Sequence, residues 1–202
     1  VIAYASRTGT RKNLEALRRA GWRLLVSATG SWRNEGFAYA IDNGAWTAHQ
    51  SGLPFDEARF MRLVWKMGEK ADWIAVPDIV TGGIQSLEFS LKWLPELRGI
   101  APLLLPVQDG IRPRDIRAYV GPELGIFIGG STEWKIQTAL FWGDLARDRK
   151  AHLHMGRVNS QRRIRIAQAA GCHSFDGTSV SRYAVTLHEL DPARRQEALC
   201  FC

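Results

Sequence analysis

Short apolar runs alternate with longer amphipathic stretches along most of this chain. Val1–Ser6, Arg23–Ala28, Ala38–Asp42, Trp73–Val76, Leu103–Val107, Ile126–Ile128, His152–Met155 and Ser174–Asp176 are brief and mostly apolar, which predicts eight strands. Between them the apolar spacing changes to that of a helix. Thr10–Ala20 carries Leu14 and Leu17 on one face, with Gly21 as its stop. Asp56–Met67 aligns Phe60, Leu63, Val64 and Met67. Further helices are predicted from a Ser86 cap to a break at Pro95, over Pro113–Tyr119, and from a Ser131 cap through Phe141. Another runs from an Asn159 or Ser160 cap through Ala170, and a last one covers Asp191–Glu197. Trp65, Trp93, Trp134 and Trp142 lie on these helices and are expected in the core.

Strands separated by helices predict an α/β protein with a parallel sheet. Eight is the number that closes a compact (β/α)₈ TIM barrel, and residues 1–202 are read as one such domain. An open doubly wound sheet is the alternative. Thr29–Phe37 breaks the alternation, because this polar, glycine-containing stretch predicts a loop between the second and third strands.

The polar residues fall at the strand ends. The third strand ends at Asp42, the fourth at Asp78, the fifth at Gln108, the sixth at Gly129-Gly130, the seventh at Met155-Gly156 and the eighth at Asp176. In a barrel these positions share the C-terminal rim, where chemistry is done. Each could instead cap a helix or make a turn, and D-G-T after Phe175 is a common turn sequence. Several carboxylates on one rim are costly as packing, since like charges in a shared site raise one another's pKa. Trp46 follows Asp42-Asn43-Gly44-Ala45 and could cover a planar ligand or simply pack the loop. His152 and His154 alternate on one strand and so face the same side; a packed or solvated histidine is the default reading.

A formal net charge of +7 favours a polyanionic partner. No apolar run is long enough to span a bilayer, and Val1–Thr8 lacks the features of a secretory leader. Cys172, Cys200 and Cys202 form no disulfide framework, so a cytoplasmic location is expected. Cys200-Phe201-Cys202 could begin a metal site, but no second pair accompanies it, and no metal is expected. No phosphate-binding loop or nucleophile elbow is present.

The ordered set D-N-G-A-W, V-P-D, V-Q-D-G, I-G-G-S, L-H-M-G and S-F-D-G-T resembles the tRNA-guanine transglycosylases. It resembles still more their DNA-modifying relatives in phages and bacterial modification islands, the 7-deazaguanine DNA transglycosylases. The likeness covers about residues 38 to 180. It implies a (β/α)₈ barrel that exchanges guanine in DNA for a free 7-deazaguanine, such as 7-cyano-7-deazaguanine, without a cofactor. By this resemblance Asp176 is the nucleophile and Asp42 the general acid/base. Asp78, Gln108 (or Asp109, one place on), Gly129 and Gly130 read the base edge, while Trp46 and Met155, with Gly156, enclose the base. Arg157, Arg162 and Arg163, beside the seventh strand, could hold phosphates or form a solvated face. The tRNA-acting members carry a zinc site of three cysteines and a histidine beyond the nucleophile; the residues here supply only Cys200 and Cys202, which favours DNA. A tRNA-acting enzyme and a non-catalytic nucleic-acid-binding barrel are the other readings.

Overall fold

The computed structural model describes residues 1–7, 10–182 and 185–195. Eight parallel strands close into a barrel in sequential order. They are β1 (Ile2–Ser6), β2 (Arg23–Ser27), β3 (Tyr39–Asp42), β4 (Ile74–Ala75), β5 (Leu103–Val107), β6 (Leu124–Ile128), β7 (Leu153–Met155) and β8 (Ser174–Gly177), with β8 pairing β1. The helices are α1 (Arg11–Ala20), α2 (Ala45–Gln50), α3 (Glu57–Met67), α4 (Gly83–Leu97), α5 (Pro113–Ile116), α6 (Thr132–Arg149), α7 (Gln161–Ala169), α8 (Ser179–Arg182) and α9 (Val185–Arg195). This is the (β/α)₈ barrel expected, and β2 and β3 are joined by loop 28–38. Among the described residues no helix is long and apolar enough to cross a membrane.

Side chains alternate across each strand, so each strand feeds two cores. The outward set packs under the helices in one continuous cluster: Leu24 and Val26 from β2, Leu103 and Leu105 from β5 and Phe175 from β8, together with Phe60, Leu63 and Val64 of α3. Fully burying one such side chain contributes roughly 1.5–3 kcal/mol. The inward set is smaller and more aromatic, with Tyr4, Leu25, Ala40, Trp73, Ala75 and Leu104, flanked by Ile2 and Phe127. Tyr4 and Trp73 meet edge-on at 5.2 Å between centroids.

Several local expectations need correction. Trp65 is 73% exposed, because it lies off the face that Phe60, Leu63 and Val64 turn inward. Trp142 is fully buried, whereas Trp93 and Trp134 are only partly covered. Ser86 does not cap α4, which begins at Gly83; Ser86 is buried within it, where its hydroxyl accepts from Ile79 N at 3.0 Å. Pro95 does not break that helix but lies in its last turn, so that the one backbone bond it removes comes just before the helix ends at Leu97. Ser131 and Ser160 cap α6 and α7 as expected, accepting from Trp134 N and Arg163 N. The last helix starts at Val185, well before Asp191-Pro192. Asp191 is held there by Trp22 and Arg194, at 2.9 and 2.7 Å. Cys200 and Cys202, and the end of the expected Asp191–Glu197 helix, lie outside the described residues.

Candidate active site

The C-terminal ends of β3 and β8 carry Asp42 and Asp176 on the inward face, where alternation directs them into the mouth of the barrel. Asp42 accepts from Gly44 N at 3.1 Å and from the Ser27 hydroxyl. Burial, then the nearby negative charge of Asp176, pushes its pKa up to about 6, with Asp78 adding to the effect and the two hydrogen bonds opposing it. Asp78 follows β4. Burial also pushes it up to about 6, against the pull of the Asn43 amide, which donates at 2.9 Å, and of Arg157.

Asp176 is 5% exposed and is held by two donors. Arg157 N donates to Oδ1 at 3.2 Å, and His154 Nε2 lies 3.1 Å from Oδ2. His154 is fully buried among Tyr4, Trp73 and Phe127, with ring centroids 6.0, 4.6 and 4.7 Å away. Burial lowers its pKa although Asp176 opposes this, so the ring is neutral with one N–H. With that proton on Nε2, the ring donates to Asp176 Oδ2. Nδ1 must then accept from the Ser174 hydroxyl at 2.9 Å, and Ser174 Oγ in turn accepts from His152 Nε2 at 2.8 Å. The chain His152–Ser174–His154–Asp176 therefore runs one way, every donor directed towards the carboxylate. Burial and the neighbouring His154 and His173 push His152 down to about 3, which keeps this end neutral too.

Trp46 stands on α2 at the rim, 39% exposed. The Arg157 guanidinium lies over its ring, 4.0 Å from the centroid, and donates to the Gly130 carbonyl. Arg157 has a left-handed backbone at φ +56°, an uncommon conformation for a residue with a β-carbon. Gly130 has φ +69°, and a side chain there would meet Asp109 Oδ2 and the Trp134 ring. A side chain at Gly156 would strike the Phe127 ring and lie 3.3 Å from Asp176 Oδ2, so glycine keeps the mouth open beside that carboxylate. The Gly156 carbonyl accepts from Lys135 Nζ at 2.6 Å. Burial, then Arg157, pushes this enclosed lysine down to about 7.

Asp42, Asp78, Asp176, Trp46, Gly130, Gly156 and Arg157 thus share one rim. The other expected residues are placed otherwise. Met155 points to the helix-facing core, because its neighbour His154 takes the inward face of β7; it cannot enclose a ligand at the mouth. Gln108 is buried, and its amide nitrogen donates to Ile79 O at 2.8 Å and to Ser86 Oγ at 2.6 Å, bracing the end of β4 instead of presenting donors to the mouth. Asp109, one place on, accepts from Ser131 N and Oγ, both at 2.7 Å. Burial raises its pKa, but these bonds and Arg157 outweigh that and bring it below the usual range. Gly129 N donates to Val107 O at 2.8 Å and extends the β5–β6 pairing. Arg163 Nη1 reaches Arg157 O at 3.3 Å, and Arg162 is exposed on α7.

From sequence His154 reads by default as a packed or solvated histidine, and Ser174, Lys135, Asn43 and Ser27 carry no signal of a site role. The inward alternation of His152/His154 and of Ser174/Asp176 was visible, but joining them required the β7–β8 register, which pairs His154 with Ser174. Among the described residues no group of three or more His, Cys, Asp or Glu side chains is arranged to hold a metal ion. No known family profile matches the chain, and no curated protein aligns with it.

Proposed function

We propose that the chain is a base-exchanging guanine transglycosylase, replacing guanine in DNA with a free 7-deazaguanine through a covalent aspartyl-sugar intermediate. The observation that carries this reading is a pair of carboxylates on one rim with unequal surroundings. Asp176 has fixed donors on both oxygens, whereas among the described residues no cation pairs with Asp42, whose pKa lies near neutrality. Such a division suits a nucleophile and a proton carrier.

In the first half-reaction Asp176 attacks C1′ of the target nucleoside. The C1′–N9 bond breaks, and its electron pair leaves with guanine, whose proton comes from Asp42. In the second, ionised Asp42 takes the N9 proton of the incoming base. The N9 pair then attacks C1′ and expels the Asp176 carboxylate. Two inversions give net retention. The target nucleotide must be unstacked to reach the mouth.

The setting of Arg157 supports the choice of base. Its guanidinium lies over Trp46, donates to the Gly130 carbonyl and feels the charge of Asp176, Asp109 and Asp78. The N1–C2–N2 edge of guanine presents a similar planar set of N–H donors, and its ring offers the same face for stacking. The soft surroundings therefore favour a planar, donor-rich ligand once the arginine swings aside. Labelled guanine tests the reading. Its incorporation into DNA, lost with Asp176→Asn, is expected; incorporation only into tRNA would move the activity to RNA, and none into either would overturn the assignment.

A further inference from the structure

A second basic region lies across the mouth from Arg157. Loop 28–38 and α3 enclose an open groove of about 470 Å³, lined by Trp32, Arg33, Asp56, Arg59, Arg62 and Lys66 among others. Residues 59, 62 and 66 are spaced three and four apart, so they form one stripe on α3. Phe60, Leu63 and Val64 hold the opposite face against the core, which fixes the stripe towards solvent.

The charge here is unbalanced. Some exposed arginines elsewhere meet acids, as Arg11 does Glu15, Arg117 does Asp148 and Arg147 does Asp144. In the groove four cations face one carboxylate, Asp56, whose Oδ1 accepts from Arg59 N at 2.8 Å as the α3 cap. Among the described residues Arg33, Arg62 and Lys66 make no ion pair. Like charges that outnumber their counterions repel one another, and a bound polyanion relieves that repulsion.

The groove is joined to the mouth. Ser27 bonds Asp42 and, at 3.1 Å, Thr29. The carbonyls of Thr29 and Gly30 accept from Arg59 Nη2 at 3.4 and 3.5 Å. Trp32 lies beside this arginine, 6.0 Å from its guanidinium carbon to the ring centroid, and its indole N–H is anchored on Ala28 O at 3.2 Å. A half-buried aromatic ring amid cations is the combination that holds single strands, with phosphates on the charges and a base on the ring.

We infer that this groove binds the sugar-phosphate backbone of a nucleic-acid strand on the Asp42 side of the mouth, opposite Arg157 and Arg163, so that the strand crosses the rim with its target base between the two basic flanks. The inference rests on the nucleic-acid reading above and adds a path to it.

The test is fluorescence anisotropy of a labelled single-stranded DNA oligonucleotide with the full chain, over a range of salt. Arg62→Ala combined with Lys66→Ala is expected to weaken binding about tenfold or more near 0.1 M salt. The slope of log K against log salt should become shallower by about 1.4, at ~0.7 per lost single-strand phosphate contact. Arg114→Ala combined with Lys92→Ala removes the same charge elsewhere and should leave the slope unchanged. Equal loss in that control, an unchanged slope in the groove variant, or no binding by the wild type overturns the inference. Base exchange is measured separately on the same proteins. Groove-dependent binding without exchange would sink the enzymatic reading and leave the groove standing; exchange with groove-independent binding would do the reverse.

Discussion

Acids sit at both ends of this barrel, and their company differs. At the N-terminal end Asp72 receives the Tyr4 hydroxyl at 2.9 Å and Arg23 Nη1 at 2.9 Å. Its charge has a permanent counterion. At the C-terminal end, among the described residues, Asp42 is met by a serine hydroxyl and a backbone N–H, and Asp78 by an asparagine, with Arg157 the cation acting on it. The ion pair and hydrogen bond at Asp72 tie β1, β2 and the start of β4 together, which serves stability. Burial and the charge of Asp176 instead push Asp42 up to about 6, a range that suits proton transfer. The two ends of one sheet therefore use the same residue type for opposite ends.

The widest break in that comparison is expected at Asp176. Asp176→Asn should lower base exchange by about 10⁴-fold or more and abolish any denaturant-stable protein–DNA adduct, as judged on denaturing gels. An adduct formed by this variant and mapped by mass spectrometry to another residue would remove Asp176 from the role. Asp42→Asn should cost ~10²–10⁴-fold in rate while leaving adduct formation detectable. Wild-type incorporation of the free base should rise as pH passes through about 6, where Asp42 ionises. The same variant sharpens the stability side. A folded pKa above the unfolded value means that stability is fully present below about pH 4 and is lost as pH rises through about 6. Asp42→Asn should therefore be more stable than wild type at pH 8, by on the order of 1–2 kcal/mol in urea unfolding, with the gain vanishing near pH 4.

Smaller effects follow. His154→Phe keeps the aromatic cage filled but removes the donor to Asp176; a charge-assisted hydrogen bond is worth about 1.5–3 kcal/mol, so exchange should slow roughly 10- to 100-fold. Nitrogen NMR of labelled histidine should find the wild-type ring neutral with its proton on Nε2. Trp46→Ala should weaken binding of the base by about 1–3 kcal/mol, read by calorimetry. Asp72→Asn, at the other end, should lower stability by about 1 kcal/mol and leave exchange intact. Loss of activity in that variant would dissolve the contrast between the ends.

The barrel was legible because period-two apolar runs and period-3.6 stretches alternate through the chain, and because loop 28–38 lacks either period. Boundaries were less so. Pro95 and Pro192 read as helix limits, yet both lie within helices, where packing outweighs one missing hydrogen bond. At the site, Asp42, Asp78 and Asp176 could be located because each directly follows or ends an apolar run. Met155 could not, since a strand end has two faces and only the inward placement of His154 decides between them. The donors of Gln108 were illegible for another reason: their acceptors, Ile79 O and Ser86 Oγ, belong to the segment after β4 and to the start of α4, whose placement no local pattern encodes.

Loop 28–38 has one more consequence. Over this arc the sheet is covered by irregular chain whose internal backbone bonds are few: Gly30 N to Ser27 O, Arg33 N to Ser31 O and Phe37 N to Asn34 O. Across the barrel α6 covers the sheet with eighteen residues of continuous helix. Local opening draws on the fewest cooperative bonds, so amide exchange should be fastest in this loop and slowest along β5 and β6. The barrel would then breathe asymmetrically. The wall that yields first is the one beside Asp42, and a bulky nucleotide could enter there without the rest of the sheet letting go.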